Sequence, residues 1–187
     1  MANFLTHLAV AKRYIEINGE VDNIQDFYDG SVLPDLTDDK EKTHYGTRTE
    51  MTSLLKRNIE KVNPEKFLQH NKLDNDINRG KYLHMRVDWE YYNNFISPDH
   101  QAKTNFETFF KDVVYTDNLC ADYIMKKYGV YFGLTSAAIE KEITELKKQW
   151  KNGDISRWGK NFVGEMLYSK KELDAFIEKM ARVKLPR

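Results

Sequence analysis

The chain contains a single cysteine, Cys120. That excludes a disulfide framework within one chain and a C-x-x-C zinc ribbon. Cys120 lies inside an apolar helical pattern with no histidine near it in sequence, so it reads as core. An excess of one charge is also missing, with 29 Lys+Arg against 29 Asp+Glu. A neutral chain has no whole-molecule field to attract nucleic acid or an anionic membrane, so no specific nucleic-acid partner is expected. No transmembrane segment is expected either. The stretch from Met1 to Ala11 is too short and too polar for a signal peptide or a membrane span, and the expected compartment is the cytoplasm. Several catalytic signatures are absent as well: a Gly-rich phosphate loop, a G-x-S-x-G elbow, an adjacent His-Asp pair, and His-Glu-x-x-His.

What is present is an ordinary globular composition. The 187 residues are 41% hydrophobic and 31% charged. A domain of this length buries roughly 70% of its unfolded surface, so one core suffices without staples. Aromatics are plentiful, with Tyr 11 and Phe 10, and can line a site as well as fill a core.

The patterning predicts an all-α fold, a single-domain helical bundle of about seven helices over residues 1–187. Leu5, Leu8, Ala9, Arg13 and Ile15 mark a first helix that ends before Gly19. Residues 20–46, with Asp29-Gly30, Leu33-Pro34 and Thr37-Asp38-Asp39, read as a carboxylate-rich loop. Thr47 and Glu50 form a capping box for a helix reaching Val62. Pro64 restarts a short helix ending near His70. Asp74 or Asn75 caps the next helix, which runs to about Phe95 before Pro98. A second capping box, Thr104 to Glu107, opens a broadly apolar helix ending at Gly129. Val130-Tyr131-Phe132 is a short β-like run, too short to establish a sheet. A charged helix over 136–151, a turn from Asp154 to Trp158, and a last helix from a Ser169 cap to about Ala181 complete the chain. The lysines of 141–151 and 170–184 interleave with glutamates and read as solvated faces. Residues 1–96 thus form a half carrying the candidate chemistry, and 104–187 a helical half with a protruding charged C-terminal hairpin.

His84 and Asp88 are four residues apart in Tyr82-Leu83-His84-Met85-Arg86-Val87-Asp88-Trp89. On a helix that puts them on one face, with Cβ atoms about 5–6 Å apart. His7 lies on the first helix, Asp35 in Gly30-Ser31-Val32-Leu33-Pro34-Asp35, and His44 in Lys42-Thr43-His44-Tyr45. Three imidazoles and two carboxylates suit zinc, manganese or iron, and the absence of soft ligands disfavours copper(I) or an iron–sulfur cluster. Gathered together they would activate a water for hydrolysis, and two metals about 3.5–4 Å apart would suit phosphoester cleavage. Tyr45, Asp38 and Asp39 are candidates to orient the imidazoles. Plainer uses stay open on spacing alone. They are a surface ion pair for His84 and Asp88, an exposed His7, a turn role for Asp35, and a solvated loop for His44. His70 and His100 stand in polar loops and read as exposed.

Taken in order, Thr6-His7, the Gly30 to Asp35 segment, Lys42-Thr43-His44-Tyr45 and Gly80-Lys81-Tyr82-Leu83-His84-x-x-x-Asp88 resemble the zinc-dependent phospholipase C superfamily. The likeness is to its small bacterial intracellular branch, and it covers about residues 3–96. Trp89, Tyr91, Tyr92 and Phe95 stand where that family has aromatics. The resemblance implies an all-helical fold with His7, Asp35, His44, His84 and Asp88 as metal ligands. Asp88 or Asp35 would bridge or act as base. The implied activity is a metal-dependent hydrolase acting on a small-molecule or lipid phosphoester, giving an alcohol and a phosphomonoester. Secreted members have an N-terminal tryptophan and further ligands after the equivalent of Asp88. Here the chain begins Met1-Ala2-Asn3-Phe4 and only His100 follows, so the expectation is one or two zinc ions, not three. Met85 and Arg86 depart from the small apolar residues usual beside the pair. The alternative is a catalytically degenerate helical binding or regulatory protein on the same scaffold, with the charged C-terminal third as its partner surface.

Overall fold

Short polar side chains set where the helices begin. Asn3, Asn23, Asp39, Asn63 and Asn75 each stand one residue ahead of a helix and accept a hydrogen bond from a first-turn amide. The distances run from 2.8 Å at Asn3 to 3.2 Å at Asn23 and Asp39. Such caps satisfy amides that have no partner inside the helix. A computed structural model describes residues 3–37, 39–46, 62–96, 106–152 and 163–186. Within it the helices are α1 (Phe4–Asn18), α2 (Ile24–Val32), α3 (Lys40–His44), α4 (Pro64–His70), α5 (Asp76–Glu90), α6 (Phe106–Tyr128), α7 (Ala137–Asn152) and α8 (Lys170–Ala181). Short 3-10 turns cover Leu33–Asp35 and Phe132–Leu134, and a π-helical turn, Tyr91–Phe95, extends α5. The described residues contain no named strand, and the fold is an all-α helical body.

Two expectations need correction. Residues 20–46 are not one loop, because α2, a 3-10 turn and α3 occupy most of them. Asp29-Gly30 read as a turn signal, but Gly30 lies inside α2 at a helix crossing. Val130-Tyr131-Phe132, too short to establish a sheet, forms no strand. Gly129 in the left-handed region (φ 59°) and the 3-10 turn from Phe132 bracket it, and Val130 is buried as core. The helix expected to reach Val62 does not include it, because Val62 pairs with Tyr45 in an isolated bridge; the rest of that helix, its capping box at Thr47, the cap residue Thr104 and the turn at Asp154 to Trp158 lie outside the described residues.

The core is built around α1. Every residue from Phe4 to Ala11 is buried, including the polar Thr6 and His7. Helix α1 touches α2, α5, α6 and α8, and Leu8, Ala9, Val10 and Tyr14 join Phe27, Leu83, Val87, Ile124, Leu173 and Ile177 in one cluster. Cys120 belongs to it and is fully buried, as its pattern implied. A smaller cluster of Val62, Phe67, Tyr82 and Met85 seats α4 on α5. The segment after residue 162 lies along α6. Asp112 accepts from the Glu165 amide at 2.7 Å, and Thr116 accepts from the Leu167 amide at 3.0 Å. These side chains satisfy backbone donors that have no ladder partner.

Helices α2 and α5 meet backbone to backbone. A Cβ on Gly30 would lie 2.2 Å from the Ile77 carbonyl oxygen, and one on Gly80 would lie 2.3 Å from the Phe27 carbonyl oxygen. Neither obstacle is a side chain that can swing away, so a larger residue must push the helices apart. Gly80→Ala is therefore expected to destabilise the protein by about 3 kcal/mol, the upper end of ordinary overpacking. Chemical denaturation of the variant measures this, and a cost near zero would contradict the close approach.

A second expectation concerns pH. Burial pushes the Asp117 carboxyl up to about 7, against the hydrogen bond it accepts from the Tyr168 hydroxyl at 2.7 Å. Its unfolded value is near 3.9, so between these values the native state holds a proton that the unfolded state has lost. Its contribution to stability is then fully present below about pH 4 and is lost as pH rises toward 7. Urea unfolding at pH 5 and pH 8 should show a drop across that interval that is smaller in Asp117→Asn.

Candidate metal centre

Four separate segments deliver the five residues singled out in the sequence. His7 is on the first turns of α1, its amide bonded to the Asn3 carbonyl at 3.1 Å. Asp35 ends the 3-10 turn that Pro34 helps to start. His44 is the last residue of α3, and His84 and Asp88 share one face of α5. All are buried: His7 1%, Asp35 7%, His44 2%, His84 1% and Asp88 0% exposed. This rules out the exposed ion pair for His84 and Asp88, the exposed His7 and the solvated loop for His44.

The polar atoms converge. The Nε2 atoms of His44 and His84 are 3.2 Å apart. Asp88 Oδ2 lies 3.3 Å from His44 Nε2 and 3.5 Å from His84 Nε2. Asp35 Oδ1 lies 3.7 Å and 4.0 Å from the same two nitrogens. One ligand atom from each of Asp35, His44, His84 and Asp88 falls within 4.8 Å of all the others. Ligands about 2.0–2.1 Å from a tetrahedral zinc stand about 3.3 Å from one another. The short edges of this group match that spacing.

The hydrogen bonds behind the imidazoles decide which nitrogens are free. His84 Nδ1 lies 2.8 Å from the Ser31 carbonyl oxygen, which can only accept, so Nδ1 carries the proton. The Thr43 hydroxyl donates to the Pro34 carbonyl at 3.0 Å and therefore accepts from His44 Nδ1, also at 3.0 Å. A proton on Nδ1 alone leaves each ring with an Nε2 lone pair turned inward, toward the other ring and the carboxylate oxygens. Such a cluster of acceptors calls for a cation, a proton or a hydrogen-bond donor between its members. Orientation of ligating histidines through their remote N–H is the usual device at metal sites.

His7 stands one step to the side. Its ring stacks on His84 at 3.8 Å and 13°, and neither of its nitrogens makes a hydrogen bond within the protein. A buried imidazole with both nitrogens unbonded is uncommon and calls for an explanation. His7 Nε2 faces Asp88 Oδ1 at 3.3 Å and Asp35 Oδ2 at 3.9 Å. Each carboxylate thus turns one oxygen toward the His44 and His84 pair and the other toward His7. The group whose ligand atoms all lie within 4.8 Å of one another does not include His7. Burial alone drives the Asp88 carboxyl up, but contact with His44, His7 and His84 holds it well below the usual carboxylate range.

The orienting partners differ from those expected. Tyr45 gives its hydroxyl to Asn71 as an acceptor at 2.7 Å, and Asp39 caps α3. Asp38 lies outside the described residues. The Ser31 carbonyl and the Thr43 hydroxyl take the role instead. Thr43 is visible beside His44 in sequence, but a backbone carbonyl leaves no residue-type signal. His70 is exposed, its ring edge-on to Tyr45, and does not join the group. His100 lies outside the described residues.

A metal that binds only the folded protein raises its stability by about 2.7 kcal/mol at a hundred times its Kd. Zinc is therefore expected to raise the melting temperature. Asp88→Ala should abolish both that rise and the metal found by elemental analysis of the purified protein. Melting that ignores zinc, manganese and iron alike would count against a metal centre. Compared with family models, with curated proteins and with solved structures, the chain matches none.

Proposed function

We propose that the protein is a metal-dependent hydrolase of phosphodiesters. The observation that carries the metal part is the inward pair of Nε2 lone pairs, 3.2 Å apart and fenced by two carboxylates. His44, His84 and Asp88 would hold one zinc with Asp35 beside it, and His7 with the other oxygen of Asp88 would face a second. The choice of phosphodiester rests on the ordered resemblance of residues 3–96 to zinc-dependent phospholipase C enzymes. Zinc bound there would supply Lewis acidity toward a phosphoryl oxygen and would lower the pKa of a nearby water.

The protein groups have distinct tasks in this reading. Asp88 is fully buried, and its carboxylate charge would help retain a cation. Asp35 has the greater exposure of the two carboxylates, which supports giving it the role of general base. It takes a proton from water as the water oxygen attacks phosphorus. The bond from phosphorus to the leaving alkoxide breaks, and the proton passes to that alkoxide. The products are an alcohol and a phosphomonoester. Ser31 and Thr43 hold the rings so that neither swings away between turnovers. Among the described residues no helix is long and apolar enough to cross a membrane. A small soluble diester is the simplest substrate to try first.

One observation favours a second reading. None of the three imidazoles is more than 2% exposed, which suits a metal that stabilises a helical binding protein without turning over substrate. Hydrolysis of bis-p-nitrophenyl phosphate separates the two. Turnover should require zinc or manganese, stop on chelation, return on adding the metal back, and vanish in His84→Ala. Thermal stabilisation by zinc without turnover under any divalent ion leaves the binding protein and ends the hydrolase.

A further inference from the structure

We propose that Tyr45 is the positioning residue of the metal centre: the left-handed backbone turn it holds aims His44 at Asp88 and His84. The inference rests on the metal-centre reading above. Tyr45 has φ 57° and ψ 18°, and it is the one non-glycine residue at positive φ among the described residues. For a bulky side chain that conformation is a strained outlier. Such strain persists only where the surroundings over-determine it, and it clusters at functional sites.

The surroundings here are specific. The Tyr45 hydroxyl accepts from Asn71 Nδ2 at 2.7 Å. Its ring stands edge-on to Phe67 at 5.4 Å and to His70 at 5.9 Å. The His44 carbonyl, one atom group away, accepts from the Asn63 amide at 2.9 Å, and Tyr45 bridges to Val62. All these anchors come from residues 62–71, which contribute none of the five site residues. On the other side of His44, Thr43 is tied to the Pro34 carbonyl. Helix α3 has only five residues and cannot hold its own ends. Were Tyr45 to relax to an ordinary helical conformation, the chain would continue α3 and leave the bond from His44 to Asn63. The imidazole would then lose the backbone that directs it. Tyr45 acts through its conformation and touches no ligand atom of the centre.

The test is a series at one position, titrated with zinc against a competing chelator at a temperature where each variant is fully folded. Tyr45→Phe keeps the ring and loses the bond to Asn71, so zinc should bind about 3-fold more weakly. Tyr45→Ala loses both anchors and keeps the strain, and should bind about 30-fold more weakly, within the range known for residues that support metal ligands. Tyr45→Gly loses the same anchors but adopts positive φ freely, so it should recover several-fold over Tyr45→Ala. Packing alone predicts the opposite order, because glycine packs less than alanine. The visible spectrum of the cobalt(II) form should follow the same ranking as His44 leaves or keeps the ion. Should Tyr45→Ala fail to fold, Asn71→Ala releases the anchor with Tyr45 intact and should weaken zinc about 3-fold.

Glycine binding no tighter than alanine overturns the proposal. So does wild-type affinity in both Tyr45→Phe and Asn71→Ala. If the wild type itself binds no zinc, the metal reading fails and takes this one with it. If the wild type binds and the whole series binds alike, only the role of Tyr45 is lost.

Discussion

The contact of α2 with α5 governs the arrangement of the whole site. Gly30 and Gly80 each lie against the opposing backbone at distances that exclude a Cβ. Ser31 follows Gly30 directly, and its carbonyl is the acceptor that fixes the His84 ring. His84 is one turn past Gly80 on the same helix. Move the helices apart by the width of one methyl group and that carbonyl no longer reaches the ring. The tautomer of His84, and with it the inward lone pair, depends on two missing side chains.

Burial gives the site its chemical character. Few proteins place five ionisable groups together beneath the surface, because each loses its hydration and requires a partner. Here the groups partner one another. Three imidazole nitrogens lie within 3.5 Å of the Asp88 oxygens. The remote nitrogens of His44 and His84 are occupied by Thr43 and Ser31, so the near nitrogens face inward. What remains is concentrated acceptor character beneath the surface. A cation at this group would link the Leu33–Asp35 turn, α3 and α5.

Much of the fold was legible because it depends on local rules. The start and end of α1, the restart at Pro64, the helix through His84 and the Ser169 capping box follow from caps and periodicity. Residues 20–46 were misread for a physical reason. Glycine next to aspartate is a turn signal when it stands alone, but Gly30 serves a helix crossing, and its partner Gly80 is fifty residues away. The β-like character of Val130 and Tyr131 reflects a buried side chain beside an exposed one, without a partner strand.

The candidate site divides the same way. Residue type and order in the sequence were enough to single out His7, Asp35, His44, His84 and Asp88, since only His84 and Asp88 needed a helix to become neighbours. Their meeting is tertiary. Nothing local brings His7 near Asp88, or turns one oxygen of each aspartate toward one histidine and the other toward two. The protonation pattern is tertiary too, because a backbone carbonyl has no identity in the sequence. The chain alone determined which side chains were candidates for a metal; packing across α1, α2, α3 and α5 decided which atoms of them face one another, because direction and distance between distant segments are set only when their surfaces fit.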